Sequence, residues 1–324
     1  NKGIIDLTAM NIYDTFKKPI ITLAPMEDVT DTVFRQIVAS VCRPNLFYTE
    51  FINVEGLNSK GRDKVIHRLK YDKSEKPIIA QLWGIKPENF YKASVLVRKL
   101  GFDGIDINMG CAVRKVSLKN AGIGMINAER ELVKDVIQSV KEGANNLPVS
   151  VKTRIGWEEY DQSWIEFLLE QNLNALTVHG RSAIGENAKS ADWGKILLCV
   201  KLRDEINEGT LIFGNGDVKS VKQAQEYYKK FNVDGVMIGR AAITNPWIFS
   251  GKEKLTQNER IELFKKHVLL FKDTWGNSKD FSVLKKFVKS YISGFPKAQN
   301  IREEMMNTKS IDELLSIIDG IILH

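Results

Sequence analysis

The chain has 324 residues and a formal net charge of +7 at neutral pH. This length exceeds most single domains but suits an α/β barrel of about 250 residues with a smaller appendage. No apolar run is long enough to span a bilayer and no signal-peptide pattern opens the chain, so we expect a cytoplasmic protein without a membrane partner. Its three cysteines are widely spaced and form no C-x-x-C pair, which argues against a disulfide framework or a metal site.

Apolar runs typical of buried strands alternate with helical patterns along the first 250 residues. The predicted strands cover residues 20–24, 46–51, 77–82, 104–107, 149–152, 175–179, 211–214 and 235–238. Helical patterns follow them, for example at 87–100, 129–143, 162–170, 193–206 and 220–231. Eight βα units predict a (β/α)8 TIM barrel over residues 1–250. A doubly wound sheet is the alternative, but it rarely has eight uninterrupted strands, and no G-x-G-x-x-G motif follows the first strand.

The strand pattern stops near residue 255, and helices are predicted at 259–275, 283–292, 299–306 and 310–322. We therefore expect a second, all-helical domain at residues 251–324. The segment from Lys265 to Arg302 contains nine basic and two acidic residues, so its net charge of +7 equals that of the whole chain. Such asymmetry favours a polyanionic partner, with a solvated lysine-rich helical surface as the alternative.

In a barrel of parallel strands, the residues just beyond each strand face a common mouth at the carboxyl ends. Here those positions are rich in amides and single cations. They are Pro25, Met26, Glu50, Gln81, Asn108, Cys111, Lys152, His179, Asn215, Asp217, Gly239 and Arg240. These groups suit a planar heteroaromatic ring, because Gln81 can pair with a donor and acceptor edge and Lys152 with a position that becomes negative on reduction.

Two short glycine-bearing loops follow the seventh and eighth strands, at residues 213–218 (FGNGDV) and 238–242 (IGRAA). Each precedes a helix, so their backbone N–H groups and Arg240 predict a phosphate cradle. Either loop alone is compatible with an ordinary turn, but together they favour a phosphate-bearing cofactor. FMN fits better than pyridoxal phosphate: Lys152 could form a Schiff base with the latter, but the amide-rich set and the opposed thiol favour a flavin.

Cys111 follows the fourth strand in the stretch GIDINMGC, residues 104–111. Gly110 lets the backbone approach a flat ligand, and Arg114 and Lys115 place positive charge beside the thiol. The alternative is a small apolar residue capping the strand, which is the usual role of a free cysteine.

Arg154 and Arg181 lie just beyond the fifth and sixth strands. Both are candidates for binding phosphate or an RNA backbone, or for pairing with Glu158, Glu159 or Asp192.

Several long motifs resemble those of the tRNA-dihydrouridine synthases, in order and over almost the whole chain. They are APMEDVTDTVFR (24–35), QLWG (81–84), DINMGC (106–111), VKTRIGW (151–157), HGR (179–181), ADW (191–193), NGD (215–217), GRAAITNPW (239–247) and GFPKAQNIR (294–302). The resemblance implies an FMN-dependent enzyme that uses NADPH to reduce the C5–C6 double bond of uridines in folded tRNA.

By this resemblance, Cys111 is the proton donor to uridine C5, opposite the hydride from flavin N5 to C6, and Asn108 contacts the uracil. The residues implied to hold FMN are Pro25, Met26, Gln81, Lys152, His179, Asn215, Gly216, Asp217, Gly239 and Arg240. A flipped-out base requires a wide mouth and a basic surface nearby, for which the helical domain offers Lys285, Lys286 and Lys289. Arg154 and Arg181 are also expected to contact the RNA substrate. We expect the protein to be a monomer.

Two departures from the family pattern stand out. Ala112 replaces the usual proline after the cysteine, and Gly185, Asn187 and Lys189 replace a Gln, a Tyr and a Gly near the RNA. A different uridine or a ribosomal RNA substrate therefore stays open. So does a small-molecule FMN pyrimidine oxidoreductase, although that enzyme needs no basic helical domain. A non-catalytic RNA-binding module is a further possibility, but it needs neither Cys111 nor Lys152.

Overall fold

The structure is a computed structural model that describes residues 11–112, 120–184, 190–252 and 254–322. Its centre is one sheet of eight parallel strands. The strands are β1 (Ile20–Leu23), β2 (Phe47–Asn53), β3 (Ile78–Trp83), β4 (Gly104–Met109), β5 (Val149–Arg154), β6 (Ala175–His179), β7 (Leu211–Asn215) and β8 (Gly235–Ile238). From β2 to β8 each strand pairs with the next strand in sequence, and β1 pairs with β8. A parallel bridge between Thr22 and Leu46 joins the first and second strand segments and closes the barrel. The predicted (β/α)8 fold is confirmed.

Helices alternate with the strands on the outside of the barrel. They are α1 (Thr32–Val41), α2 (Val54–Leu57), α3 (Pro87–Lys99), α4 (Arg130–Ala144), α5 (Gln162–Leu169), α6 (Trp193–Ile206), α7 (Val221–Phe231) and α8 (Arg240–Thr244). Side-chain oxygens begin several of them, including Asp31 at α1, Asp161 at α5 and Ser220 at α7. Each of these side-chain oxygens accepts a hydrogen bond from a backbone N–H in the first turn of its helix. The N–H groups of a first turn have no partner within the helix, so this bond satisfies one of them.

Two apolar cores follow from the alternation of side chains along the strands. The larger core lies between the sheet and the helices and continues into the C-terminal helices. The smaller core fills the barrel interior with residues such as Ile20, Ile79, Phe213 and Met237. Tyr13, from a short 3₁₀ helix at Ile12–Thr15, packs edge-on against Phe213 and belongs to this interior core.

In the described residues after the barrel, the structure has four further α-helices. They are α9 (Gln257–Trp275), α10 (Val288–Tyr291), α11 (Ala298–Asn307) and α12 (Ile311–Ile322). The single helix predicted at 283–292 is instead a 3₁₀ helix at Phe281–Phe287 followed by the short α10. Asp280 explains its start, because the Asp280 carboxylate accepts a hydrogen bond from Ser282 N at 2.8 Å, a side-chain turn that suits the tighter i to i+3 pattern.

The C-terminal helices contact the barrel through α1. Phe34 of α1 stacks on Phe287 with ring centroids 5.0 Å apart, and His267 of α9 lies 4.9 Å from the same Phe287 ring. His267 therefore packs in the contact between the C-terminal helices and the barrel. The division of the chain into domains at residue 250 stays a prediction. Among the helices that the structure describes, none has the length and apolar character needed to cross a membrane.

Candidate active site

A cavity of about 770 Å³ opens at the carboxyl ends of the strands. Most of the residues predicted from the strand ends line it. These are Pro25, Met26, Asn108, Cys111, Lys152, Arg154, His179, Arg181, Asn215, Gly216, Asp217, Gly239 and Arg240. Parallel strands bring these positions together because their carboxyl ends meet at one rim.

The register of the central strands sets two levels of polar side chains inside the barrel. Gln81, Asp106 and Ser150 are partners across β3, β4 and β5, so they lie at one level. Asn108 and Lys152 are partners one pleat nearer the mouth. The lower level is buried and the upper level meets the cavity, which places the reactive groups at the rim.

Cys111 lies at this rim on the loop after β4. The side-chain oxygen of Asn108 accepts hydrogen bonds from Cys111 N at 2.9 Å and from Gly110 N at 3.2 Å. The Cys111 carbonyl accepts a hydrogen bond from Ile123 N at 3.1 Å. Both the backbone N–H and the backbone carbonyl of Cys111 are therefore fixed by hydrogen bonds. The Cys111 side chain is half-buried. Ala112 is exposed, whereas Arg114 and Lys115 lie outside the described residues.

Lys152 brings a cation to the cavity near Cys111. Burial lowers the pKa of Lys152 to about 8; the charge of Arg154 acts in the same direction, while Asp106 and Cys111 oppose it. At neutral pH most of the amines are still protonated. Because the pKa of Lys152 is close to neutral pH, small changes in the surroundings of Lys152 alter the fraction of it that is charged.

His179 is neutral in this site. Burial, with the charges of Lys152, Arg154 and Arg181, lowers the pKa of His179 to about 2. Its Nε2 lies 3.1 Å from Arg181 Nη1. Because a guanidinium can only donate, Nε2 is the acceptor and Nδ1 carries the ring proton.

The loop after β7 has the conformation expected of a cradle. Gly216 adopts φ +125°, and a Cβ there would lie 2.5 Å from the Ala191 Cβ, so no side chain fits. Trp193 Nε1 donates to the Gly216 carbonyl at 3.0 Å and supports the loop from behind. The Asn215 amide donates to the Met237 carbonyl at 2.8 Å and joins the loop to β8.

Two arginines meet Asp217 at this end of the cavity. The Asp217 carboxylate accepts from Arg181 Nη2 at 2.6 Å and from Arg240 Nη2 at 2.8 Å, and it also accepts from Ala191 N at 2.8 Å. Burial acts to raise the pKa of Asp217, but these partners outweigh it and the pKa is lowered. The Arg240 side chain is 72% exposed. Asp217 therefore orients two guanidinium groups rather than offering a bare negative charge.

Four predicted site residues do not line this cavity, namely Gln81, Lys285, Lys286 and Lys289. Gln81 is fully buried below Asn108, and its amide bonds to Asp106 and to Asn108. Lys285 donates to the carbonyls of Met306 and Thr308 at 2.8 and 2.9 Å, where α11 ends. Lys285 and Lys289 line a separate groove of about 600 Å³ between α10 and α11.

Lys286 donates to the Asp28 carbonyl at 3.2 Å, beside the loop after β1. Gly185, Asn187 and Lys189, which depart from the family pattern, lie outside the described residues.

Several cavity-lining residues are absent from the sequence prediction. They are Ala24, Phe51, Lys219, Met237, Thr244 and Asn245; Val218 and Ala241 also line the cavity and lie within the two predicted glycine-bearing loops. Lys219 follows the NGD motif by two positions, and Asn245 lies within GRAAITNPW, so extending each motif towards its following helix would have included both. Phe51 carried no sequence signal beyond its place on β2.

Fold and site define a (β/α)8-barrel protein whose mouth combines a thiol, a half-buried lysine and a glycine-rich cradle flanked by arginines. The chain belongs to the dihydrouridine synthase family, because the family model described as "Dihydrouridine synthase (Dus)" matches residues 22–322.

Curated relatives and a solved structure agree with this family and fold. A probable tRNA-dihydrouridine synthase of Staphylococcus aureus (strain COL) is 39% identical over 314 residues, 95% of each chain. Probable tRNA-dihydrouridine synthase 2 of Bacillus subtilis (strain 168) is 38% identical over 314 residues, covering 95% of this chain and 96% of its own. A structure of morphinone reductase in complex with tetrahydroNAD matches 71% of this chain and 85% of its own with a TM-score of 0.50. At 13% identity, it supports the barrel fold alone.

Proposed function

We propose that this protein reduces the C5–C6 double bond of specific uridines in tRNA to 5,6-dihydrouridine, with FMN as its cofactor and NADPH as the reductant. One observation carries the proposal: in a chain of this family, Cys111 and Lys152 line the same cavity, which continues to the glycine cradle. The names of the curated relatives support tRNA as the substrate.

The residues at the mouth fit FMN. The cavity of about 770 Å³ falls within the range typical of cofactor sites. Gly216 lines the cavity at a turn where Ala191 and His179 leave no space for a Cβ, and the cationic Arg240 lines the same cavity, as a phosphate requires. Lys152 would hold the polar edge of the ring, and neutral His179 would offer a hydrogen-bond donor at Nδ1. Bound FMN, once reduced by NADPH, supplies the hydride that enters C6 of the uracil.

Cys111 supplies the proton that completes the reduction. Hydride addition at C6 leaves negative charge on C5 and the C4 carbonyl, so an acid must face C5. The S–H bond of Cys111 breaks, its proton forms the new C5–H bond, and the thiolate remains. Lys152 stabilises that thiolate, because the charge of Cys111 and the charge of Lys152 attract each other.

The mouth must admit a whole nucleotide. A stacked uracil reaches Cys111 only after it leaves the RNA helix, so phosphates on either side come close to the rim. Exposed Lys219 and Arg240 lie at that rim, and Lys289 lies on the C-terminal helices. Cations at these positions suit a large polyanion, whereas a free pyrimidine needs none beyond the cavity. A cytoplasmic monomer stays the predicted form of the protein.

An anaerobic assay tests the proposal. Purified protein reconstituted with FMN should bleach with NADPH, and unmodified tRNA transcripts should restore the flavin absorbance while dihydrouridine appears by mass spectrometry. Ribosomal RNA fragments and orotate serve as competing acceptors. Reoxidation by orotate but not by tRNA would overturn the proposal in favour of a small-molecule enzyme. Reoxidation by ribosomal RNA alone would move the activity to that substrate.

A further inference from the structure

A continuous row of hydrogen bonds runs from the barrel core to the Cys111 loop. Ser150 Oγ donates to Asp106 Oδ1 at 2.5 Å, and Gln81 Nε2 donates to Asp106 Oδ2 at 2.6 Å. Asn108 Nδ2 then donates to Gln81 Oε1 at 2.9 Å. Asn108 Oδ1 accepts from Cys111 N at 2.9 Å. Cys111 N, Asn108 and Gln81 therefore all donate in the direction of Asp106, and Ser150 donates to the same carboxylate from the other side.

Each link fixes the direction of the next. An ionised carboxylate can only accept, so Gln81 must turn its NH₂ group towards Asp106 and its oxygen towards Asn108. Asn108 must then turn its NH₂ group towards Gln81, which leaves its oxygen for the Cys111 loop. The far end requires the same direction independently, because the backbone N–H of Cys111 can only donate. Reversing either amide would place two donors against each other at one of its contacts and two acceptors against each other at the other.

The ionisation state of Asp106 agrees with this direction. Burial raises the pKa of Asp106 to about 6, while hydrogen bonds from Ser150 and Gln81 and the charge of Lys152 oppose the rise. The group is therefore mostly a carboxylate at neutral pH. Asp106 and Gln81 are both fully buried, so solvent does not compete for these hydrogen bonds.

We infer that Asp106 is a positioning residue, which acts through Gln81 and Asn108 to hold the loop that bears Cys111. Asp106 itself is fully buried and does not line the cavity. Its carboxylate sets the orientation of both amides, and the Asn108 oxygen then fixes the peptide before the thiol. This inference rests on the proposed role of Cys111 as the acid, and it extends that role to a residue in the barrel core.

The reactivity of the thiol tests the inference without flavin or RNA. Iodoacetamide alkylation of the intact protein is followed by peptide mass spectrometry, with half-buried Cys42 at the end of α1 as an internal reference. In Asp106→Ala, loss of the acceptor should release the loop and raise the alkylation rate of Cys111 at least fivefold, with Cys42 unchanged. Asp106→Asn keeps an oxygen for Gln81, so its Cys111 rate should stay within twofold of the parent.

Two further variants separate positioning from general loss of packing. Ser150→Ala removes the hydrogen bond on the other oxygen of Asp106 and leaves the chain towards Cys111 intact, so the Cys111 rate should stay within twofold. Gln81→Met keeps the side-chain volume but breaks the row of hydrogen bonds, so its Cys111 alkylation rate should rise as much as that of Asp106→Ala. If Asp106→Ala does not fold, Gln81→Met alone tests the inference. An unchanged Cys111 rate in Gln81→Met would overturn the inference, as would an equal increase in Ser150→Ala.

A second measurement links the row to turnover. With FMN bound, flavin reduction by NADPH in Asp106→Ala should stay within threefold of the parent, while reoxidation by saturating tRNA should slow at least tenfold. Rescue by Asp106→Asn should restore the second rate. If the alkylation results hold but tRNA fails to reoxidise the parent protein, the positioning role stands and the proposed function falls. If tRNA reoxidises all variants equally, the positioning role falls and the proposed function stands.

Discussion

The indole nitrogen of Trp275 donates a hydrogen bond to Asp31 Oδ2 at 3.0 Å, joining residues 244 positions apart in the chain. Lys279 donates to the same oxygen at 2.8 Å. The other carboxylate oxygen of Asp31 begins α1 by accepting from Phe34 N at 3.0 Å. One side chain therefore both starts the first barrel helix and attaches the C-terminal helices to it.

We predict that Asp31→Ala lowers the free energy of unfolding by about 3 kcal/mol, because it removes a helix cap and leaves two donors without their acceptor in a buried setting. Asp161→Ala is the matched control, since Asp161 caps α5 in the same way by accepting from Trp164 N at 3.1 Å. It should cost only about 1 kcal/mol. Urea unfolding of both variants measures the difference, and equal losses would show that the contacts of Asp31 with Trp275 and Lys279 contribute nothing to stability.

The role of Cys111 predicts a selective defect. Cys111→Ala should bind FMN and accept electrons from NADPH at the parental rate, because the thiol is not needed for either. Dihydrouridine formation should fall about 100-fold or more, as expected for loss of a general acid. Cys42→Ala is the control and should keep full activity. Stopped-flow measurements of flavin reduction by NADPH and of flavin reoxidation by tRNA follow the two half-reactions. Full turnover by Cys111→Ala would refute the acid role.

Neighbouring lysines should separate RNA binding from stability. Lys289 is exposed on α10, so Lys289→Gln should weaken tRNA binding and reduce the slope of log affinity against log salt by about 1. Lys285 bonds two carbonyls at the end of α11, so Lys285→Gln should instead lower the free energy of unfolding by about 1 kcal/mol. Filter binding across a salt series and thermal unfolding provide the two measurements. An unchanged salt slope in Lys289→Gln would make the groove a solvated surface only.

His267 predicts how acid affects the fold. Burial lowers the pKa of His267 to about 4 in the folded protein, while an unfolded histidine titrates near its ordinary value of 6.5. As the pH falls from 6.5 to 4, the unfolded chain binds a proton that the fold excludes, so stability is lost in that window. At pH 5 this loss amounts to about 2 kcal/mol.

His267→Gln cannot titrate and still offers a hydrogen-bond partner to Tyr291, whose hydroxyl lies 3.0 Å from the ring nitrogen. We expect its free energy of unfolding to fall about 2 kcal/mol less than that of the parent between pH 7 and pH 5. His67→Gln, on a half-buried histidine, serves as the comparison and should follow the parent more closely. Identical pH profiles for parent and His267→Gln would contradict the buried neutral state.

The local pattern of the sequence determined the barrel. Apolar runs bounded by Gly and Pro predicted all eight strands within a few residues, because a strand buried on both faces is rich in apolar residues. The same pattern located the mouth, since the residue after each strand must lie at a common rim. Strand ends alone thus predicted that Cys111, Lys152 and Arg240 lie together, and these residues line one cavity.

Only the tertiary structure decided what each polar side chain contacts. A strand-end position does not reveal that Gln81 turns to Asp106 and Asn108 inside the barrel, or that Asp217 gathers Arg181 and Arg240. Nor does a run of lysines distinguish Lys285, tied to the end of α11, from its neighbours. The physical reason is that burial patterns depend on near neighbours in the chain, whereas hydrogen-bond partners depend on which distant segments the closed barrel brings within about 3 Å.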